Sequence, residues 1–284
     1  MNNSKVLFED IKRGLLLDES DDELDAIAFM ILQHVFGLTR TQMLAGTTTD
    51  TTSEQLSYLR EILDRINQHE PIQYVLGYAD FFGRRFTVNK DVLIPRPETE
   101  ELVIVVKSFL QKRKAASAKV LDIGTGSGCI PITLALDIPT INAIGIDISE
   151  DALRIASRNA ITLNSRVNFQ KLDILLADIP FEQLDVIVSN PPYIGRVEAA
   201  SIQENVLLHE PHLALFVDHD DVLIFYRNIV RKGFSKLVAG GMLAFETNEK
   251  FGDDVKQVMS HAGYNNVTVQ KDINGKDRIV YGYK

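Results

Sequence analysis

The chain has 284 residues, 45% of them hydrophobic, and a formal net charge of −9, enough to bury a full core and to hold two domains. No run of 18 or more apolar residues occurs, so no membrane-spanning helix is expected. An acidic chain without a basic stripe is a poor match for long nucleic-acid duplexes, whose binding relies on Lys and Arg against phosphates.

The start of the chain, Met1 to Lys5, lacks the basic opening and apolar core of a secretion signal. Cys129 is the single cysteine, so no internal disulfide can form and a reducing, cytoplasmic setting is expected. Residues 1–72 hold 6 basic and 13 acidic side chains, a net of −7, and the remainder has a net of −2. Such an acidic segment suits a basic protein partner as well as simple solubility.

Residues 4–16, 21–36 and 53–68 show helical periodicity. Ile27, Met30, Ile31 and Val35 form one apolar stripe, and Leu56, Leu59, Ile62, Leu63 and Ile66 another. Ser20 or Asp21 can cap the second helix, Ser20 being favoured because Glu23 three residues on would complete a capping box, and Thr52 or Ser53 can cap the third. These stripes predict a small helical bundle. Residues 79–94 read as a hairpin, with Phe81, Phe86 and Val88 alternating with polar positions around Gly83. Glu98 to Lys112 should be a helix, its acidic start following Pro97. From about residue 98, helix and strand patterns alternate as a mostly parallel sheet requires.

Lys119 to Ile123 reads as a strand leading into Gly124-Thr125-Gly126-Ser127-Gly128 and a helix beginning near Ile130. Glycines at alternate positions let a backbone turn sharply and approach a ligand closely. The G-x-G-x-G spacing puts Cys129 where a dinucleotide fold would carry its third glycine, which argues against a nicotinamide oxidoreductase. Cys129 itself reads as a small packing residue. Asp147 ends the next strand, Ile141 to Ile146, where an acid can accept both hydroxyls of a ribose. It also precedes Ser149-Glu150-Asp151, which opens a helix.

The run Asp185 to Ser189 reads as a buried parallel strand, and Asn190-Pro191-Pro192-Tyr193 ends it. Two prolines fix φ, remove two donors and hold Asn190 extended. The corner falls at a strand's C-terminal edge, where open α/β sheets bind ligands. The Asn190 side-chain carbonyl and the Pro191 backbone carbonyl are two acceptors suited to an –NH₂ group, and Tyr193 can cover the plane that carries it. Further on, His209 and His212 are separated by Pro211, which breaks any helix that would align them. Asp218-His219-Asp220-Asp221 lacks a calcium-loop pattern, so no metal site is expected.

The glycine loop, Asp147 and the Asn-Pro-Pro-Tyr string, in that order, resemble class I S-adenosylmethionine-dependent methyltransferases acting on a planar amino group. A longer match, Val92-Leu-Ile-Pro-Arg-Pro-Glu-Thr-Glu100 preceded by Phe81 to Phe86, resembles the PrmC/HemK family, which methylates a glutamine side-chain amide in peptide-chain release factors. Pro71-Ile-Gln-Tyr74 with Gly77, Glu210-Pro211 with Ala214-Leu215, and Asp272 to Arg278 add to it. Two stretches depart from the family pattern: Phe216 to Asp220, where a glycine pair is usual, and Thr247-Asn248-Glu249, where a glycine then a glutamine is usual.

The resemblance implies a Rossmann-like, seven-stranded, mostly parallel sheet (residues 98–284) with an antiparallel edge near 242–246 or 266–271 and 277–283. An N-terminal helical substrate-recognition domain (1–72) and a β-hairpin linker (73–97) would precede it. It implies S-adenosylmethionine as cofactor and S-adenosylhomocysteine as product. Gly124, Thr125, Gly126, Ser127 and Gly128 would lie along the methionine part, Asp147 on the ribose, and Asp173 or Ile174 near adenine. Asn190, Pro191, Pro192 and Tyr193 would form the catalytic corner, with Asn190 also beside the cofactor. The implied partners are release factors, with no long nucleic acid and no membrane, and the chain is expected to act as a monomer. A nucleic-acid amino-methyltransferase acting on adenine or guanine shares the Asn-Pro-Pro-Tyr string and is the alternative. A cofactor-binding scaffold without catalysis is the other, and the intact Asn190 and glycines argue against it.

Overall fold

The computed structural model describes residues 2–113, 117–195, 204–217 and 221–284. The chain divides into two compact units, one running to Tyr78 and including the short helix Glu204–His209, the other taking Ala79 onward and Glu210 to the end. The acidic cluster at 218–221 lies outside the described residues except for Asp221.

The first unit packs α1 (Ser4–Gly14), α2 (Asp21–Phe36), α3 (Arg40–Ala45), α4 (Ser53–Ile66) and α5 (Ile72–Leu76). Ile27, Ile31 and Val35 of one predicted stripe and Leu59, Ile62 and Ile66 of the other are buried together with Leu7, Ile11 and Leu32. The Ser20 hydroxyl accepts from the Glu23 N–H, and Thr52 forms a full capping box with Gln55. The first and third helices stop two residues earlier than their periodicity suggests. Leu15 turns extended at the end of α1, and Asn67 closes α4. Six-residue α3 is too short to show a period; its signal is the Thr39–Gln42 capping box.

The predicted hairpin is real but shorter than its alternation. Tyr78–Phe81 pairs with Arg84–Thr87 around Phe82 and Gly83, both at positive φ, as a tight hairpin turn requires. Past Thr87 the Asn89 side chain accepts from the Asp91 N–H at 3.0 Å and the Asn89 carbonyl from the Val92 N–H at 3.1 Å, a turn that ends the strand.

The large sheet has seven strands: β1 (Lys119–Ile123), β2 (Asn142–Asp147), β3 (Val167–Lys171), β4 (Leu184–Ser189), β5 (Leu237–Glu246), β6 (Asn265–Lys271) and β7 (Asp277–Tyr283). Their order is β6-β7-β5-β4-β1-β2-β3. The first five are parallel, and β7 runs antiparallel between β5 and β6, as the resemblance implies. The helices of this unit are α6 (Pro97–Arg113), α7 (Cys129–Asp137), α8 (Glu150–Thr162), α10 (His212–Leu215), α11 (Ile224–Lys236) and α12 (Gly252–His261); α9 (Glu204–His209) belongs to the first unit. Glu210 and Pro211 separate α9 from α10 in the sequence, so His209 and His212 lie on different elements.

Side chains alternate across a strand, and the two cores follow that parity. Val120, Val186, Val188, Met242 and Ala244 pack with Leu102, Val106, Ile132 and Leu134 of α6 and α7. Leu121, Ile123, Ile187, Leu243 and Phe245 pack with Tyr226, Ile229, Val255 and Met259 of α11 and α12. Two carboxylates fall on the first parity. Asp122 follows Val120 by two residues and Glu246 follows Ala244 by two, so both are directed into the side of the sheet that α6 and α7 cover.

Candidate active site

The glycine loop leaves β1 and is pinned to the end of β2. The N–H groups of Gly124 and Thr125 both donate to the Ile146 carbonyl, at 2.9 and 3.0 Å. The Gly126 N–H donates to Asp147 Oδ2 at 2.9 Å, and the Ser149 N–H to Oδ1 at 2.9 Å. Asp147 thus holds the loop and opens α8 together, and each oxygen keeps a lone pair for another donor. Burial raises its pKa, opposed by the N–H groups of Ser149 and Gly126. Gly128 then caps α7. Its missing Cβ leaves room for Ile132, Ala156 and Phe169, each of which would lie within 3.2 Å of one.

Asp173 and Ile174 follow β3. Asp173 accepts from the Leu175 N–H through Oδ1 at 2.8 Å and from the Ala177 N–H through its carbonyl at 2.8 Å. The loop is held from below by Lys232 of α11, which donates to the carbonyls of Ile174, Leu175 and Ala177 at 2.6, 3.2 and 2.8 Å. Lys232 gave no signal in the sequence, where it reads as one more surface lysine on an amphipathic helix.

Asn190 follows β4 directly. The preceding Ser189 hydroxyl donates to the Ile123 carbonyl at 2.6 Å and ties the end of β4 to the end of β1. The glycine loop, Asp147, the Asp173 loop and Asn190 therefore all stand at the C-terminal edge of four neighbouring parallel strands. Tyr193 packs against the α11 core, and burial followed by the Glu246 charge pushes its phenol up to about 12.

The strings that lie far apart in sequence meet around Asn190. Thr99, in the first turn of α6, donates its hydroxyl to Glu246 Oε2 at 2.6 Å and accepts from Asn190 Nδ2 at 3.4 Å. The Glu246 carbonyl accepts from the Tyr226 hydroxyl at 3.1 Å. Glu210 is buried and accepts from Arg96 at 2.5 Å and from the Ile94 N–H at 3.4 Å. Arg278 donates to Asp272 at 3.3 Å and to the Thr247 carbonyl at 3.4 Å. Next to the corner, Ile194–Gly195 pairs in parallel with Phe216–Val217.

Sequence reasoning passed over Thr99 and Glu246 as individuals, and over Asp122. Each could have been found as a polar residue at a position that strand or helix parity assigns to the core. Asp122 is fully buried beneath the glycine loop. Burial pushes its carboxyl up to about 7, with the Thr125 hydroxyl opposing and the Asp147 charge adding. Neither carboxylate oxygen nor the Thr125 hydroxyl closes a hydrogen bond of good geometry among the described residues. Burial likewise pushes the Cys129 thiol up to about 12, which makes it an inert packing group.

A nucleoside ligand with a cationic amino-acid tail fits these residues. A Cβ on Gly124 or Gly126 would meet nothing within 4 Å, so the loop's outer face is open. Beneath it lie a carboxylate and a hydroxyl with bonding capacity to spare, and beside it the Asp147 carboxylate.

Comparison with known proteins gives two matching family models: a methyltransferase domain over residues 114–273 and the PrmC N-terminal domain over residues 14–77. The chain is 42% identical to the release factor glutamine methyltransferase of Bacteroides thetaiotaomicron, covering 91% of this chain and 92% of that one. It is 39% identical to the enzyme of the same name from Flavobacterium psychrophilum, over 92% of each. Among solved structures, a methyltransferase from Pyrococcus furiosus superposes with a TM-score of 0.51 at 20% identity, covering 78% of this chain and 96% of that one; this likeness speaks to the fold alone.

Proposed function

The chain belongs to the release factor glutamine methyltransferase family, and we infer that it transfers a methyl group from S-adenosylmethionine to the side-chain amide nitrogen of a glutamine in a peptide-chain release factor. The observation that carries this reading is the convergence of Asn190, Thr99 and Glu246, from three strings distant in sequence, at the strand edge that also bears the glycine loop. A release factor as substrate also puts the enzyme where translation ends, in the cytoplasm.

In this reading the glycine loop, with Asp122 and Thr125 beneath it, holds the methionine part of the cofactor. Asp147 takes the ribose hydroxyls, and the loop of Asp173 and Ile174 lies by adenine. When bound, the cofactor supplies a methyl group already activated by a sulfonium charge. The work left to the protein is positioning.

An amide nitrogen is a weak nucleophile because its lone pair is delocalised into the carbonyl. Asn190 Oδ1 and the Pro191 carbonyl accept the two amide hydrogens and so fix the direction of the nitrogen. They also stabilise the positive charge that develops there during transfer. Pro191 and Pro192 keep the two acceptors side by side, and Tyr193 covers the amide plane. None of these groups is a strong base, so the proton leaves to water after transfer.

Incubation of the protein with S-adenosylmethionine and an intact release factor, followed by mass spectrometry, tests the reading. A gain of one methyl group on a glutamine is expected. Tritium transfer to DNA or RNA with none to the release factor would favour the nucleic-acid alternative.

A further inference from the structure

Asn190 can serve as an acceptor for a substrate –NH₂ only if its own amide is turned the right way. An asparagine side chain has a carbonyl end and an NH₂ end of nearly the same shape, and the wrong end at the substrate would place donor against donor. Something in the fold has to choose. The Asp-for-Asn shortcut, an acid whose two ends are both acceptors, is not used here.

The neighbours of Asn190 supply the choice. The Thr99 hydroxyl has one proton, and it goes to Glu246 Oε2 at 2.6 Å, a short bond to a carboxylate. What Thr99 then shows to Asn190 is lone pairs only. The group that meets those lone pairs is Asn190 Nδ2, at 3.4 Å. With the nitrogen end so engaged, Oδ1 is left for the substrate. Were Glu246 to carry a proton, it could donate to Thr99, and the Thr99 proton would be free to face Asn190 and call for the carbonyl end.

We propose that Glu246 and Thr99 form a polarity relay: the ionised Glu246 fixes the direction of the Thr99 hydroxyl, which in turn holds the Asn190 amide with its carbonyl toward the substrate. Both are positioning residues, acting through Asn190. The proposal rests on the reading of Asn190 as the amide acceptor.

The geometry is built for this. Glu246 is 1% exposed and Thr99 3%, so water does not compete for the bond between them. Tyr226 fixes the backbone at Glu246 from α11. The charged and titratable groups around Glu246 are Arg278 from β7, Arg96 just before α6 and Glu98 in its first turn, Tyr193 from the corner, Cys129 from α7 and Tyr226 from α11. Burial lifts Glu246 to about 7, while Thr99, Arg278 and Arg96 pull it down and Glu98 lifts it. The relay therefore switches within the range an enzyme assay can cover.

Three full-length variants test it: Thr99→Val, Thr99→Ser and Glu246→Gln. Thr99→Val and Glu246→Gln should lower kcat about three- to tenfold, the scale of one hydrogen bond, with S-adenosylmethionine affinity by calorimetry unchanged. Thr99→Ser, which keeps the hydroxyl, should restore kcat. The wild-type kcat should rise with pH through about 7 as Glu246 ionises, and this limb should be missing in Glu246→Gln and Thr99→Val. The same transition should appear without any substrate, as a pH titration of the Asn190 side-chain NH₂ resonances by NMR in the wild type and not in Glu246→Gln.

A parental kcat in Thr99→Val, or an Asn190 amide that titrates identically in Glu246→Gln, overturns the relay. Failure of the wild-type protein to methylate a release factor would instead overturn the reading of the substrate. The NMR titration separates the two.

Discussion

At the scale of single residues, the site depends on side chains whose neighbours restrict them to one role. Asn190→Ala removes the side-chain acceptor and leaves the Pro191 carbonyl, so kcat should fall by about 10²–10³, as when one oriented hydrogen bond at a charge-developing centre is lost. Cofactor affinity should change little. Asn190→Asp keeps an acceptor in either orientation and should retain more activity than the alanine variant. Steady-state kinetics with saturating release factor would decide, and equal kcat for wild type and Asn190→Ala, with methyl transfer the slow step, would remove Asn190 from its role.

Asp122 carries a second prediction at this scale. Its folded-state value of about 7 stands above the ordinary 3.8. Between those values the folded protein holds a proton that the unfolded chain has lost, so this group's contribution to stability falls as pH rises from about 4 to 7 and is level above. Asp122→Asn, neutral at every pH, should therefore gain stability relative to wild type as pH rises from 5 to 8. Thermal unfolding at the two pH values measures it, and a gap independent of pH would count against the buried charge.

At the scale of elements, the glycine loop depends on a close approach between β2 and the loop itself. A Cβ on Gly145 of β2 would lie 2.7 Å from Thr125 Oγ1 and 2.8 Å from two Phe169 ring carbons. Gly145→Ala should cost about 1–3 kcal/mol of stability, the usual range for overpacking, and should weaken cofactor binding because the loop must shift. Denaturant unfolding with a calorimetric titration checks both, and unchanged values would mean the loop has slack. The Asp147 corner and the Lys232-braced loop after β3 are also held from outside their own element. In both, backbone groups of the turn are bonded by a neighbouring side chain, Asp147 for Gly126 and Ser149 and Lys232 for Ile174, Leu175 and Ala177.

At the scale of the whole molecule, charge is divided. The net of −7 on residues 1–72 against −2 on the rest suits a basic surface on the protein substrate. Raising ionic strength from low to about 0.5 M, where charges more than a few ångströms apart are screened, should raise KM for the release factor while leaving kcat and cofactor affinity nearly constant. Neutralising Asp18, Glu19, Asp21 and Asp22 should flatten that dependence. A KM indifferent to salt would reduce the acidic segment to a solubility device. Among the described residues no helix is long and apolar enough to cross a membrane.

Much of this was legible in the chain itself. Period-3.6 stripes in α2 and α4, apolar runs in β1, β2 and β4, and the caps Ser20 and Thr52 are local matters, set by neighbours three or four residues away. The strand–glycine loop–strand–acid order and the Asn-Pro-Pro-Tyr corner are local too, since turn chemistry and fixed φ angles need no distant partner. The helix at 40–45 escaped because six residues hold too little period, and the hairpin ran short because an Asn89 side chain ended it. What only the tertiary structure decided is the company each residue keeps. Thr99, Asn190 and Glu246 are 91 and 56 residues apart in sequence, and sheet order and strand parity alone bring them into one hydrogen-bonded chain. Lys232 and Asp122 owe their character to burial. A lysine on a helix and an acid in a strand look ordinary until the fold removes water from around them and leaves only the partners it has placed there.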